Sequence, residues 1–182
     1  SQPDPKKEGQ HLNMVLTCEH VVSAAIKVRD EWNSVLKRQV KTDYFDKVQV
    51  ELFDYDGSEV ISSNASSAVV VAYDKRDEIA LLKLDNTRHM PHVATLYPED
   101  GIDNLRRFDK VWVSGCSLLH DPFASSGELT YLRENIEEKD YLMANAPSVF
   151  GNSGGALFHD LNRAGEELCG SGAVAGLAYP DC

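Results

Sequence analysis

Hydrophobic and polar residues alternate over many short stretches of this 182-residue chain, and the alternation predicts β-strands. In 47–53, Val48, Val50 and Leu52 fall on one face of an extended segment, with polar residues between them. The other predicted strands are rich in apolar residues and cover 13–17, 67–72, 79–84, 110–114, 128–132, 141–144, 156–158 and 172–178. Many short strands separated by turn residues predict an all-β barrel or sandwich.

Two stretches depart from this alternation. In 20–37, apolar residues recur at roughly helical spacing with charged residues between them, which predicts a helix longer than a connecting turn needs. The stretch 88–107 is the weakest-patterned part of the chain and contains Pro91, Pro98 and Gly101. We therefore expect two halves, 1–90 and 109–182, joined by a linker at 91–108.

The charge of the chain excludes some classes of function. Acidic residues outnumber basic ones 29 to 18, for a formal net charge of −11, whereas a nucleic-acid binder usually carries a basic surplus. No run of about 20 apolar residues occurs, so no membrane insertion is expected. The polar start, 1–10, is no secretory signal and leaves a longer parent protein and its compartment open.

The sequence contains no phosphate-binding loop and no cluster of residues with the spacing of metal ligands. Its four cysteines are widely separated, with no Cys-x-x-Cys pair, so zinc and thioredoxin-like chemistry are poorly supported. We therefore expect no cofactor and no metal site.

The segment Gly-Asn-Ser-Gly-Gly at 151–155 carries the strongest chemical signal. Glycines around Ser153 allow backbone conformations that a β-carbon would forbid, so a serine oxygen can project from a tight turn. A serine hydroxyl becomes a good nucleophile only when a base takes its proton, and the base needs an orienting group. Of the six histidines, His20 is the best base, since it lies just after a strand at the start of a helical pattern; His120 could line a cleft.

The remaining histidines lie in turn-like or polar contexts that favour exposure to solvent. They are His11, His89, His92 and His159. An orienting acid is expected at the mouth of the buried strand 79–84, where the charged stretch 74–78 supplies Asp77 and Glu78.

Three motifs in this order resemble those of trypsin-like (chymotrypsin-fold) serine peptidases, most closely the bacterial and viral HtrA-like branch. Leu-Thr-Cys-Glu-His-Val-Val at 16–22 is similar to the histidine motif, the strand 79–84 to the one after the acid, and 151–157 to the serine motif. The segments 115–118 and 172–179 also resemble family segments, the first without its proline. The resemblance implies two six-stranded antiparallel β-barrels, the first with the histidine and the acid, the second with the serine.

It also implies the roles of the site residues. His20 would deprotonate Ser153, which attacks a peptide carbonyl, and the backbone N–H groups of Gly151 and Ser153 would form the oxyanion hole. The family register gives Glu78 as the acid. Asp77 stays open as the alternative, since a shift of one residue reverses the face of an extended segment.

The departures from the family pattern concern activation and specificity. Asn152 stands where digestive trypsins have the Asp that pairs with a newly cut N-terminus, so we expect no activation of that kind. Pro147 stands where trypsin has its specificity Asp, which favours small or apolar substrate residues over Lys and Arg. With Ala178 and Tyr179 it would contact the substrate.

The family also bears on partners and on alternatives to an active enzyme. The expected partners are protein or peptide substrates, and a homo-oligomer, additional domains in a longer parent and a truncated second barrel are left open. Two other interpretations remain at this point: a catalytically silent binding or scaffold protein of the same fold, and a self-processing protease of a larger polyprotein.

Overall fold

The computed structural model describes residues 1–57, 59–159 and 172–174, and the fold over them is mostly β. The chain divides into two compact units, Ser1–Pro91 and His92–Cys182. The sequence predicts every described strand of six or more residues except those at 26–33 and 38–45. The boundaries of the predicted barrels, and the linker at 91–108, stay a prediction.

The first unit is built around a four-stranded antiparallel sheet with the order β3-β8-β7-β6. Its strands are β1 (Gln2–Pro3), β2 (His11–Leu12), β3 (Met14–Thr17), β4 (Ile26–Asn33), β5 (Arg38–Phe45), β6 (Lys47–Asp56), β7 (Glu59–Asp74) and β8 (Ile79–Leu84). Strands β1 and β2 form one separate pair, and β4 and β5 form another. Every second residue of β8 is buried, namely Ala80, Leu82 and Leu84, and these pack with Ala68 and Val70 of β7.

The second unit contains a six-stranded sheet with the order β12-β11-β10-β13-β14-β9. Its strands are β9 (Thr95–Leu96), β10 (Lys110–Gly115), β11 (Phe123–Ile136), β12 (Lys139–Ala144), β13 (Ala156–His159) and β14 (Gly172–Val174). Strand β14 runs parallel to β9, and all the other pairs are antiparallel. The core consists of Leu105, Val111, Leu129 and Leu157, so the predicted linker contributes a core residue to this unit.

The predicted barrels differ from these sheets in two respects. The main sheet of the first unit has four strands over the described residues, and the sheet of the second unit includes a parallel pair. Two closed six-stranded antiparallel barrels therefore remain a prediction.

The predicted helix over 20–37 is wrong. The helix α1 comprises only Glu19–Val22, and a 3₁₀ turn at Ser23–Ala25 follows it. The chain then forms the antiparallel hairpin of β4 and β5, with Ile26 opposite Phe45.

The hairpin forms because its sequence also alternates, with Ile26, Val28 and Trp32 on one face of β4. Branched and aromatic residues fit a pleated surface better than a helix. The side-chain oxygen of Asn33 accepts hydrogen bonds from the N–H groups of Val35 (3.0 Å) and Leu36 (2.9 Å), which folds the chain into a turn.

Candidate active site

His20 and Glu78 lie at the same end of one strand pair. Thr17, the last residue of β3, pairs with Ala80 in β8, so the residues that follow β3 lie beside those that precede β8. The N–H of Glu19 donates to the backbone oxygen of Glu78 at 3.2 Å, which extends this contact past the end of the strands. The short helix α1 then begins and carries His20 on its first turn.

The side chains of His20 and Glu78 contact each other. Nδ1 of the histidine lies 2.9 Å from Oε2 of the glutamate, and the two side chains are 52% and 45% exposed. At such exposure an ion pair contributes only about 0–1 kcal/mol to stability. The contact therefore matters for the orientation of the imidazole, since a bond at Nδ1 directs Nε2 away from the glutamate.

The chain turns sharply where the two candidate acids lie. Glu78 has a φ of 54°, in the left-handed region that residues with a side chain seldom adopt. The N–H of Asp77 donates to the carboxylate of Asp74 at 3.1 Å, within the turn that precedes β8. The structure thus brings Glu78, the residue favoured by the register argument, to His20, and the catalytic role of either acid stays a prediction.

Glu19, which the sequence analysis did not single out, is buried beside the histidine. Its residue is 5% exposed, and its Oε1 lies 3.8 Å from Nζ of Lys75, a residue of the turn that leads to Glu78. The Lys75 side chain is exposed, and this ion pair is a contact between the acid-bearing turn and α1. The sequence gives no signal that Glu19 is buried, because its burial depends on the tertiary fold.

Ser153 lies in a glycine turn that packs closely against the segment after β10. Gly151 has a φ of 97°, and a β-carbon there would lie 2.6 Å from the backbone oxygen of Cys116. A β-carbon on Gly155 would lie 2.4 Å from the backbone oxygen of Ser114. Both positions therefore require glycine, and Ser153 between them is partly buried.

A buried hydrogen-bond network holds this turn. The side-chain oxygen of Asn152 accepts from the hydroxyl of Ser117, and its amide nitrogen donates to Oγ of Ser148 at 3.2 Å. Ser117 is 1% exposed and Asn152 is 8% exposed. Asn152, which stands where digestive trypsins have the activation Asp, thus has hydrogen-bond partners in Ser117 and Ser148 for its side chain. The sequence indicates the missing Asp but cannot identify Ser117 as the partner, 35 residues away in the chain.

The backbone N–H groups of the turn fall into two kinds. The N–H groups of Asn152 and Gly155 donate to the backbone oxygens of Val149 and Asn152, at 3.2 and 2.8 Å. In the described part of the chain, neither the N–H of Gly151 nor that of Ser153 donates a hydrogen bond. These are the two groups predicted to form the oxyanion hole.

The predicted substrate-contacting residues are only partly described. Pro147 is exposed, and its backbone oxygen accepts a hydrogen bond from Oγ of Ser125 at 2.6 Å. Ala178 and Tyr179 lie outside the described residues. Among the residues that the structure describes, no group of His, Cys, Asp and Glu side chains could hold a metal ion.

His159 is buried, so its predicted exposure is wrong. Its Nε2 lies 3.2 Å from Oδ2 of Asp109, and the two residues are 9% and 6% exposed. The ring also meets Tyr97 edge-on, with 5.6 Å between the ring centroids. Burial raises the pKa of Tyr97, and the carboxylate of Asp109 adds to this shift. Its place at the end of β13, between β10 and β14, buries this histidine despite its polar sequence context.

Solved structures of two proteins share this fold. Deg5 superposes with a TM-score of 0.52 at 18% sequence identity, over 80% of this chain and 63% of Deg5. The serine endoprotease from Yersinia pestis superposes with a TM-score of 0.51 at 20% identity, over 80% of this chain and 40% of that protein. This chain thus spans less than two thirds of the length of either structure.

A search among curated protein sequences finds no match to the chain. In the described residues, no helix is long and apolar enough to cross a membrane. The model of the trypsin-like peptidase domain matches residues 6–165, which is most of the chain. The chain therefore belongs to the trypsin-like peptidase family.

Proposed function

We propose that the chain is a serine endopeptidase in which His20 is the general base, Glu78 orients it, and Ser153 is the nucleophile. The observation that carries the proposal is the 2.9 Å contact between Nδ1 of His20 and Oε2 of Glu78. With Nδ1 occupied by the carboxylate, Nε2 is the nitrogen that accepts the serine proton, which is the division of roles that a triad needs.

The reaction then follows the acyl-enzyme course. Oγ of Ser153 attacks the peptide carbonyl carbon while Nε2 of His20 takes its proton, and the carbonyl oxygen becomes an oxyanion. The N–H groups of Gly151 and Ser153 have no acceptor in the described part of the chain and would donate to that oxyanion. Such a donor is worth about 2.7–4 kcal/mol in the transition state. The protonated His20 then donates its proton to the leaving amine, and water hydrolyses the ester.

The substrate preference follows from Pro147 in place of a buried carboxylate. A pocket without an anion gives no ion pair to Lys or Arg, so we propose cleavage after small or apolar residues. Ala178 and Tyr179, which lie outside the described residues, are also proposed to contact the substrate.

Cleavage of a peptide library by matched variants tests this function. We expect the wild type to hydrolyse peptides after small or apolar residues, and Ser153→Ala and His20→Ala each to lower kcat by about 10⁴-fold or more. Ser126→Ala is the matched control, because this exposed serine of β11 lies outside the glycine turn and its hydrogen-bond network and should keep full activity.

The same experiment separates the alternatives. A folded wild type that cleaves no peptide would be a binding or scaffold protein of this fold. Cleavage confined to a site at the boundary of this domain in its own precursor would make it a self-processing protease. Activity that survives Ser153→Ala would contradict the proposed nucleophile.

A further inference from the structure

The hairpin of β4 and β5, residues 26–45, exposes apolar side chains on one face and at its turn. Trp32 is 67% exposed, Val35 86% and Leu36 54%, and Val28 is also exposed on the same face as Trp32. On the opposite face, Arg29 lies over the ring of Tyr44, 5.1 Å from its centroid. We call residues 26–45 the basic hairpin, because they contain more basic than acidic side chains.

Its charge is opposite to that of the rest of the chain. The basic hairpin carries five basic and three acidic side chains, whereas the whole chain has a formal net charge of −11. Three of the basic side chains lie at or near the turn: Lys37, Arg38 and Lys41. None of the three forms an ion pair within residues 1–57, 59–159 and 172–174. Their charge is therefore available to a partner.

The next hairpin along the chain has the complementary character. Residues 48–74, in β6 and β7, contain five acidic side chains and no Lys or Arg, and we call them the acidic hairpin. Asp56 lies directly opposite Glu59 next to the turn, and like charges in such a pair repel each other. Exposed apolar side chains accompany them, with Ile61 65% and Tyr55 46% exposed. A cation from another molecule would relieve this repulsion.

Both hairpins are held in fixed shapes before any partner binds. Eight residue pairs join β4 to β5, and the turn is fixed by the two hydrogen bonds to Asn33. On the acidic hairpin, the hydroxyls of Ser62 and Ser63 donate to Asp54 (2.8 Å) and Glu51 (2.6 Å). Preformed surfaces of this kind lose little conformational entropy on association.

We propose that the basic hairpin of one copy of this chain docks on the acidic hairpin of a second copy. Each copy carries both surfaces, so two copies can form the contact twice around a two-fold axis. No ion pair joins Lys37, Arg38 or Lys41 to the acidic hairpin within one copy, over the described residues. The paired charges would surround a centre formed by Trp32 and the apolar residues of the other hairpin.

Two small hairpin surfaces give a weak, salt-sensitive association. Stable interfaces bury about 1,200–2,000 Å² in total, and weak encounters bury less. Exposed charge pairs are screened over about 10 Å at 0.1 M salt and about 3 Å at 1 M salt. We therefore expect self-association at low salt that rises with protein concentration and is lost at high salt. A purely apolar contact would strengthen with salt instead.

Sedimentation velocity of the full chain with charge-reversed variants tests the proposal. We expect Lys37→Glu/Arg38→Glu and Asp56→Lys/Glu59→Lys each to be monomeric at concentrations where the wild type associates. Mixed together, the two variants should associate again, because each reversed hairpin then meets its opposite charge on the other chain. Lys6→Glu/Lys7→Glu, which changes the net charge as much as the first variant at another exposed site, should associate like the wild type.

Circular dichroism confirms that each variant is folded, and Lys37→Gln/Arg38→Gln serves if the reversal disturbs folding. A wild type that stays monomeric at every concentration and salt would overturn the proposal. So would reversed variants that associate as the wild type does, or a mixture that stays monomeric. None of these results depends on peptidase activity, so a failure here is distinct from a failure of the proposed function.

Discussion

Ser117→Ala is the most informative single-atom change, because the hydroxyl of Ser117 supports the turn that carries the proposed nucleophile Ser153. This hydroxyl donates to Oδ1 of Asn152, the residue before Ser153, and both partners are buried. Ser117→Ala removes the donor and leaves the amide oxygen of Asn152 buried without it. Such a loss costs about 1–3 kcal/mol.

The consequence can be measured in two quantities. For a chain of this length, 1 kcal/mol lowers the melting temperature by about 2–4 °C, so we expect a fall of about 2–12 °C. If the same free energy falls on the turn alone, the rate of reaction of Ser153 falls by about 5- to 150-fold, at 1.4 kcal/mol per factor of ten. KM should change less than kcat, since the turn carries the proposed nucleophile and the proposed oxyanion donors.

Calorimetry and peptide hydrolysis are the assays, with Ser63→Ala as the control. The hydroxyl of Ser63 donates to Glu51 at 2.6 Å but at an exposed site, so its loss should change stability by less than about 0.5 kcal/mol. In a double-mutant cycle, Asn152→Ala should cost less in the Ser117→Ala background than in the wild type. Equal stability and activity of Ser117→Ala and the wild type would refute the role of this network.

Three further predictions follow from the geometry. Glu78→Ala should lower kcat by about 10³- to 10⁴-fold, and Asp77→Ala by less than about tenfold; the reverse ranking in steady-state kinetics would overturn the assignment of the acid. Gly155→Ala would place a β-carbon 2.4 Å from a backbone oxygen of β10, so chemical denaturation should show a loss of more than about 3 kcal/mol, and a wild-type midpoint would refute the close packing. Burial, and then the carboxylate of Asp109, raise the pKa of Tyr97 above its unfolded value of about 10. The contribution of Tyr97 to stability is therefore complete below the unfolded pKa and is lost as pH rises through the folded pKa. Tyr97→Phe should accordingly reduce the fall in the urea midpoint above about pH 10.

The strands could be predicted from sequence because their alternation reports burial directly. In β6, Val48, Val50 and Leu52 lie on the face that packs against the core, which is the face that the pattern predicts. The error over 20–37 has the same origin. Alternation and helical spacing share positions over short stretches, and the choice between them is made by the Asn33 turn and by Ile26 and Phe45 packing on the core.

The site could be predicted where a motif holds the chemistry, and not where tertiary contacts hold it. The family register favours Glu78 over Asp77, and the left-handed turn that carries Glu78 to His20 is a local backbone feature with no sequence signature. The partner of Asn152 is invisible in the sequence, because Ser117 reaches it only after β10 and β13 have paired. Buried polar contacts of this kind come from topology.

Reaction with a fluorophosphonate, followed by mass spectrometry of the labelled peptide, tests the central claim that Ser153 is a nucleophile activated by His20. We expect one label per chain, on Ser153, with labelling abolished by Ser153→Ala and slowed by about 10⁴-fold or more in His20→Ala. A label on another residue, or equal rates of labelling in the wild type and in His20→Ala, would contradict it.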